Sequence, residues 1–166
     1  MNILFVCRGN VFRSLSAEYC LKKYLESVNI KEIGVFSAGI EAIQQPVPRF
    51  ILNQLSKLEI DASGHKQTKL EKEHLIEADL IVSMGINHKK YIERNFNYPS
   101  YLFNEICYGK ITSVLDIHDA VPGWESRVKE SRNHMKWTIN YIHSSMPYFL
   151  ENYKNFVFKL RNSTRL

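Results

Sequence analysis

Short apolar runs and longer amphipathic segments follow one another along the chain. The first run, residues 3–6, has four consecutive apolar residues of the types found in buried strands. From residue 13 to residue 28 apolar side chains recur mainly at steps of three and four, which predicts a helix with one apolar face. Residues 34–39 form a second predicted strand with a glycine at each end. This strand, helix and strand indicate a right-handed parallel unit.

The same alternation continues to the proline at residue 147. A helix is predicted over residues 50–58, after Pro46 and Pro48, and a central strand over residues 79–84. The other predicted elements are helices over 71–77, 89–96 and 126–145 and weaker strands over 100–103 and 111–115. Strands that alternate with helices favour a three-layer, doubly wound α/β domain, in which helices cover both faces of a parallel sheet. Ligands of such domains bind at the carboxyl ends of the strands.

The junction between the first strand and the first helix combines residues that suit an anion site. Cys7 ends the strand, Gly9 and Asn10 are turn residues, and Arg13 opens the helix. The first turn of a helix presents free N–H groups and a partial positive charge. If the loop over residues 8–13 curls, its N–H groups surround one tetrahedral oxyanion, and Arg13 closes the ring with its guanidinium.

Cys7 is predicted to lie at the floor of this anion site. Positive charge from amide dipoles and from Arg13 stabilises a thiolate, so we expect Cys7 to be ionised at neutral pH. A thiolate beneath a bound phosphate is a nucleophile directed at phosphorus. The alternative interpretation is that Cys7 is a small buried apolar residue at the end of a core strand.

The segment resembles the phosphate loop of the low-molecular-weight protein tyrosine phosphatases, which has the form Val-Cys-x-Gly-Asn-x-x-Arg-Ser. The matching residues are Val6, Cys7, Gly9, Asn10, Arg13 and Ser14. The resemblance extends to about residue 145 and implies a four-stranded parallel sheet flanked by helices. It also implies that Cys7 is the nucleophile and that Arg13 binds the phosphate.

The resemblance assigns roles to the other loop residues and to two residues outside the loop. Substrate-binding positions are Arg8, Gly9, Asn10, Val11, Phe12 and Ser14. Ser14 can also donate a hydrogen bond to the sulfur. Ser37 and His65 match a buried polar network that, together with Asn10, supports the shape of the loop.

A tyrosyl leaving group benefits from a proton donor, because a phenol has a pKa of about 10. Family members carry an acidic residue, two further residues and Asp-Pro before the last long helix. Asp119 therefore matches the general acid and Asp116 the preceding acidic position, although Ala120 replaces the proline and Val121 the usual aromatic residue. We assign the acid to Asp119. There are two alternatives. Asp116 is the acid, or both aspartates only hold turns and cap a helix.

Composition limits the class of protein. The 166 residues suit one domain, and 45% hydrophobic residues without long apolar runs predict a globular chain with no membrane span or secretory signal. Three cysteines without framework spacing favour a reducing compartment, the cytoplasm.

The net charge of +5 favours anionic partners, but the cations are scattered and no nucleic-acid-binding motif is present, so no nucleic acid is expected. The spacing of histidine and cysteine predicts no metal site, and no cofactor is expected.

Residues 147–166 extend beyond the resembled domain, which we place at residues 1–146. This tail is predicted to be helical and combines aromatic residues with four cations and one acidic residue, a net charge of +3. Docking on the domain or in a dimer is the favoured interpretation, and contact with an anionic membrane is the alternative. We expect a monomer or a weak dimer.

One departure from the family pattern concerns oxidation. Phe12 stands where many members carry a second cysteine that forms a reversible disulfide with the nucleophile. Oxidised Cys7 would therefore have to react with Cys20 or Cys107, or proceed to irreversible states.

Other departures concern the substrate. Arg8 occupies a position that faces the mouth of the pocket in the resembled family, where it either favours substrates with acidic flanks or is a solvated cation. The loop after Gly39 lacks the aromatic residue that often flanks the cleft. Three aromatic residues are candidates for a replacement wall: Phe12, Trp124 and Tyr108.

These residues predict a protein tyrosine phosphatase that forms a phosphocysteine on Cys7 and releases inorganic phosphate. A phosphotyrosine-binding protein without turnover is one alternative, because the acid loop is altered. Arsenate reduction on the same fold is another, but it needs further cysteines, which the residues around Met84 lack. For a phosphatase, phosphoarginine is the alternative to phosphotyrosine as the substrate. Val11 favours tyrosine, since the arginine-directed relatives resemble one another in carrying threonine there.

Overall fold

The computed structural model describes residues 1–163. Its strands are β1 Asn2–Cys7, β2 Gly34–Gly39, β3 Leu80–Ser83 and β4 Tyr101–Leu102. Its helices are α1 Arg13–Ser27, α2 Arg49–Ser56, α3 Lys72–Glu77, α4 Ile86–Phe96, α5 Phe103–Tyr108, α6 Ile117–Ala120, α7 Val128–Ser144 and α8 Met146–Ser163. The predicted α/β class, with four strands and helices on both faces, is confirmed.

The four strands form one parallel sheet in the order β2-β1-β3-β4. Strand β1 lies between β2 and β3, which explains why its residues are apolar on both faces. Cys7 pairs in register with Gly39, and Val6 pairs with Ser83. The carboxyl ends of the three strands therefore meet at one edge, directly beside Cys7.

Alternate residues of β1 enter two different cores. Ile3 and Phe5 contact the larger core, which is covered by α1, α2, α5, α7 and α8. Leu4 and Val6 contact the smaller core, which contains Leu75 of α3 and Ile92 of α4. The sheet is therefore the middle of three layers.

Two predicted elements differ from the structure. Residues 111–115 do not form a strand, because Val114 N makes only one backbone bond, of 2.9 Å to Met84 O, just past the end of β3. A single hydrogen bond is too little for strand pairing, and β4 already occupies the place beside β3. Helix α4 begins at Ile86 rather than at residue 89, with Gly85 as its N-cap in extended conformation. Helices α5 and α6 were not predicted, since six and four residues are too few for a periodic pattern.

Residues 147–163 of the tail lie in helix α8 and pack against the domain, and residues 164–166 of the predicted extension lie outside the described residues. Phe149 of α8 is fully buried, with its ring centroid 5.5 Å from that of Phe5 and 6.0 Å from that of Phe103. Tyr153 and Val157 belong to the same larger core. Docking on the domain is thus observed, while the boundary at residue 146 stays a prediction. Over residues 1–163, no helix combines the length and hydropathy needed to cross a bilayer.

Replacing Phe149 by alanine tests whether α8 is part of the stable fold. We expect Phe149→Ala to lower the free energy of unfolding by about 3–5 kcal/mol, because it removes a buried ring between two others. Phe158→Ala on the same helix is the control: this side chain is 67% exposed, so the expected change is below about 0.5 kcal/mol. Urea denaturation followed by circular dichroism measures both. Equal stabilities of the two variants would show that α8 does not contribute to the core.

Candidate active site

The loop between β1 and α1 curls around the sulfur of Cys7. The thiol is nearly inaccessible, with the residue 3% exposed. The backbone N–H of Asn10 donates to Cys7 Sγ at 3.3 Å, and Ser14 Oγ lies 2.9 Å from the same sulfur. Because Asn10 Nδ2 donates to Ser14 Oγ at 3.0 Å, the serine hydroxyl is left to donate its own proton, and the sulfur is its nearest acceptor. Such donors stabilise a sulfur anion.

Asn10 sets the conformation of the loop. Its φ of 55° is in the left-handed region, which asparagine tolerates better than most residues. Its side chain is fully buried and fully bonded: Nδ2 donates to Ser14 Oγ and to Ser37 Oγ, and Oδ1 accepts from Thr68 N at 2.9 Å. The side chain therefore connects the loop to β2 and to the segment before α3.

Ser37 and His65, the two residues expected from the resemblance, both contact Asn10. Ser37 Oγ is 2.7 Å from Asn10 Nδ2, and His65 Nε2 is 2.9 Å from Asn10 O. Ser37 Oγ donates in turn to Glu18 Oε2 at 2.5 Å, and Glu18 accepts from Lys22 at 2.5 Å. A polar chain thus runs from the loop through β2 to the surface of α1.

Gly39, at the end of β2, allows the loop to approach the sheet edge. A Cβ at this position would lie 2.6 Å from Arg8 O and 2.8 Å from Asn10 N, both backbone atoms. Ile40 N donates to Cys7 O at 3.0 Å, and Glu41 N donates to Arg8 O at 2.9 Å. Only a residue without a side chain fits between the loop and these bonds.

Arg13 is held by two acceptors that the sequence pattern did not predict. The guanidinium is buried, Nη1 donates to Val114 O at 3.0 Å, and Nη2 donates to Asp116 Oδ2 at 2.5 Å. The segment predicted as a strand at residues 111–115 therefore serves as a support for the arginine. Two fixed bonds restrict the rotation of the guanidinium at the side of the loop.

Asp116 and Asp119, the two candidate acids, have different surroundings. Asp116 caps α6, since its Oδ1 accepts from Ile117 N at 2.8 Å while Oδ2 accepts from Arg13. Asp119 is exposed on α6, one turn further on. A carboxyl that already bridges a buried arginine and a helix end is poorly placed to exchange protons. This arrangement favours Asp119 over Asp116 as the proton donor.

His88 is a buried titratable residue near the site that the sequence pattern did not single out. It lies in the first turn of α4 and is 0% exposed. Burial, and secondarily the positive charge of Arg13, lower the pKa of His88 to about 3, so the imidazole is neutral at physiological pH. Its Nδ1 has no hydrogen-bond partner among the residues that the structure describes.

Two of the three candidates for an aromatic wall are wrong. The Phe12 side chain is 7% exposed and belongs to the larger core, so this predicted substrate-binding residue does not supply a ring at the surface. The hydroxyl oxygen of Tyr108 is 2.7 Å from Ser145 Oγ, and the Tyr108 ring packs on Tyr148, among α5, α7 and α8. Trp124 remains, with its ring 5.1 Å from that of His118 on α6. The pattern of aromatic residues alone could not show which rings were needed for the core.

The remaining loop residues lie at or near the surface. Arg8 is exposed and pairs with Glu41, whereas Gly9 and Val11 are partly buried. Sequence reasoning missed Glu18, Gly39, Thr68 and Val114. Glu18 had a signal, since a carboxylate on the apolar side of a helix needs a partner. A backbone acceptor such as that of Val114 leaves no signal in the sequence.

The other two cysteines are structural. Burial raises the pKa of Cys20 to about 12 and raises the pKa of Cys107 above its usual range. A thiol that stays protonated is a poor nucleophile for disulfide formation. We therefore do not expect Cys20 or Cys107 to form a disulfide with oxidised Cys7.

Residues 2–152 match the family model described as low molecular weight phosphotyrosine protein phosphatase. The chain therefore belongs to the low molecular weight phosphotyrosine protein phosphatase family, a family of hydrolases. This membership confirms the resemblance inferred from the phosphate loop.

Relatives within the family are named for two different substrates. The chain is 38% identical over 98 residues to the low molecular weight protein-tyrosine-phosphatase Ptp of Acinetobacter johnsonii, covering 58% of this chain and 66% of that protein. It is 38% identical over 96 residues to a protein-arginine-phosphatase of Geobacillus stearothermophilus, covering 57% and 61%. The chain thus spans about two thirds of the length of these relatives.

A solved structure of the arginine phosphatase YwlE is also similar. It is a cysteine-to-serine mutant with a phosphorylated active site serine. It matches this chain with a TM-score of 0.78 and 26% identity, over 93% of this chain and 96% of that one. The family thus includes similar proteins named for phosphotyrosine and for phosphoarginine.

Gly39→Ala tests the close approach of the loop to β2. The added methyl group would clash with backbone atoms of the loop, so we expect turnover of a small aryl phosphate to fall by ~10²-fold. Gly64→Ala is the matched control, because a Cβ there has no atom within 4 Å. Initial rates with p-nitrophenyl phosphate, and thermal unfolding to confirm folding of both variants, provide the measurement. Full activity of a folded Gly39→Ala protein would contradict the role of this contact.

Proposed function

We propose that the protein is a protein tyrosine phosphatase that acts through a phosphocysteine on Cys7. The observation that carries this proposal is the pair of donors at the sulfur, Asn10 N and Ser14 Oγ, at the start of α1. These donors stabilise a thiolate where a phosphate would meet the N–H groups of the loop and the positive end of the helix.

The first step is attack of the sulfur on phosphorus. The thiolate of Cys7 supplies the electron pair of the new S–P bond, and the bond between phosphorus and the tyrosyl oxygen breaks on the opposite side. Loop amides and Arg13 bind the equatorial oxygens, whose negative charge they stabilise in the transition state. Asp119 gives its proton to the leaving oxygen, so that tyrosine departs as a neutral phenol.

The second step returns the enzyme to its starting state. The Asp119 carboxylate takes a proton from water while the water oxygen attacks phosphorus. The S–P bond breaks, inorganic phosphate leaves, and Cys7 regains its thiolate, which Ser14 stabilises as the leaving group. The substrates are accordingly phosphoproteins, and phosphate is the product.

Asp116 is proposed to be a positioning residue in this mechanism. Its bonds to Arg13 and to Ile117 N connect the phosphate-binding arginine with the helix that carries Asp119. Both functional groups therefore depend on one carboxylate. The absence of the usual proline at Ala120 is offset by this connection, since the cap defines where α6 begins.

A protein-arginine phosphatase is the second candidate function. One relative and one solved structure reported above are named arginine phosphatases, and the solved structure has a similar fold. Tyrosine is favoured by Val11, where the resembled arginine-directed relatives carry threonine, and Trp124, whose ring lies beside His118 of α6, is the remaining candidate for an apolar surface against an aryl group. The charged guanidinium of phosphoarginine gains less from such a surface.

Turnover on phosphotyrosine, phosphoarginine and phosphoserine peptides of one common sequence tests the proposal. We expect phosphotyrosine to be hydrolysed with a kcat/KM at least about tenfold above the others, because its aryl group can pack on apolar side chains such as Val11. Cys7→Ser is the control, and it should lose turnover while still binding inorganic phosphate. Preferred hydrolysis of phosphoarginine would replace the proposed substrate. Binding of phosphotyrosine without turnover would instead identify a binding protein.

The leaving group distinguishes the roles of the two aspartates. We expect Asp119→Ala to lower kcat by ~10²–10⁴-fold for phenyl phosphate and by less for p-nitrophenyl phosphate, whose leaving group departs without a proton. Asp116→Asn should raise KM for both substrates about equally, since it releases Arg13. Steady-state kinetics measures both variants. The reverse dependence on the leaving group would make Asp116 the acid.

A further inference from the structure

We propose that Arg8 is a specificity-determining residue that binds an anionic side chain next to the phosphorylated residue of the substrate. Glu41 orients its guanidinium for this contact. The inference rests on the proposed phosphatase function and adds the class of substrate, acidic phosphotyrosine segments.

Arg8 and Glu41 are joined at both the backbone and the side chain. Glu41 N donates to Arg8 O at 2.9 Å, and Arg8 Nε donates to Glu41 Oε2 at 2.6 Å. Arg8 follows Cys7 directly in the loop, so this pair lies beside the entrance for the phosphate. The two side chains are 54% and 57% exposed and can therefore be reached by a substrate.

The guanidinium uses only one of its edges in this pair. Its Nε bonds to Glu41, and within residues 1–163 no other acceptor takes a hydrogen bond from Arg8. The two terminal nitrogens are left with paired N–H groups in a planar fork. Such a fork matches the two oxygens of a carboxylate or phosphate. Glu41 thus holds the arginine from one side and leaves the other side for a ligand.

Three carboxylates act on the charge of Arg8. The hydrogen bond and charge of Glu41 raise the pKa of Arg8, and Asp116 and Asp119 raise it further. Arg8 therefore lies within electrostatic reach of the helix that carries the proposed acid. Its terminal N–H groups nevertheless carry no hydrogen bond within residues 1–163. An acidic neighbour of the phosphorylated residue can pair with these N–H groups at short range, and a cationic neighbour cannot.

Matched phosphotyrosine peptides test this inference. One peptide carries glutamates on both sides of the phosphotyrosine, and the other carries alanines. We expect kcat/KM of the wild-type protein to be about fivefold higher for the acidic peptide at low salt, and this ratio should approach one at about 0.5 M salt. Arg8→Ala should reduce the ratio to about one at low salt. Arg94→Ala, an exposed arginine of α4, is the matched control and should keep the wild-type ratio.

Glu41→Gln separates orientation from charge. The amide oxygen of glutamine still accepts from Arg8 Nε, but the competing negative charge is gone, so we expect the acidic-to-alanine ratio to rise about twofold. An unchanged or smaller ratio would contradict the role of Glu41. Equal rates for the two peptides in the wild-type protein, or a preference that survives Arg8→Ala, would overturn the inference. No turnover of either peptide would refute the phosphatase proposal itself.

Discussion

The structure depends on the convergence of hydrogen-bond donors on the sulfur of Cys7. A short strand delivers the thiol to the edge of the sheet, and Asn10 turns the backbone through the left-handed region so that its N–H points back at the sulfur. That turn is stable because both the nitrogen and the oxygen of the Asn10 side-chain amide form hydrogen bonds inside the protein. Without those bonds, the loop N–H groups would not form one concave surface for a phosphate.

Sheet topology explains why such distant residues support one loop. In the order β2-β1-β3-β4, the carboxyl end of β1 lies between those of β2 and β3. Ser37 and Gly39 reach the loop from β2, and Val114, whose N–H donates to Met84 O just past the end of β3, accepts from Arg13. Each supporting group is part of, or next to, a strand with a well-packed core. The geometry of the site is thus held by the same burial that stabilises the fold.

The pair of Arg13 and Asp116 links the residue proposed to bind phosphate with the helix that carries the proposed proton donor. In this family member the loop before α7 lacks the expected proline and instead forms the four-residue helix α6, which Asp116 caps. A buried arginine with a nearby carboxylate avoids the penalty of an unpaired charge. The same ion pair attaches α6, the helix that carries Asp119, to the start of α1. The contact between Arg13 and Asp116 thus restricts the loop before α7, where a proline would otherwise restrict it.

The amino-acid pattern by itself determined the strand–loop–helix unit, the α/β class, and the candidacy of Cys7, Arg13 and Asp119. The strand–loop–helix unit and the class follow from local periodicity, and Cys7 and Arg13 belong to a motif whose informative residues are close along the chain, whereas Asp119 was assigned from the resemblance to the family pattern. Tertiary structure decided that Phe12 and Tyr108 are packing residues, that Val114 and Asp116 hold Arg13, and that Glu41 orients Arg8. Those contacts join residues up to 103 positions apart, or use backbone oxygens that every residue has, so no local pattern could reveal them.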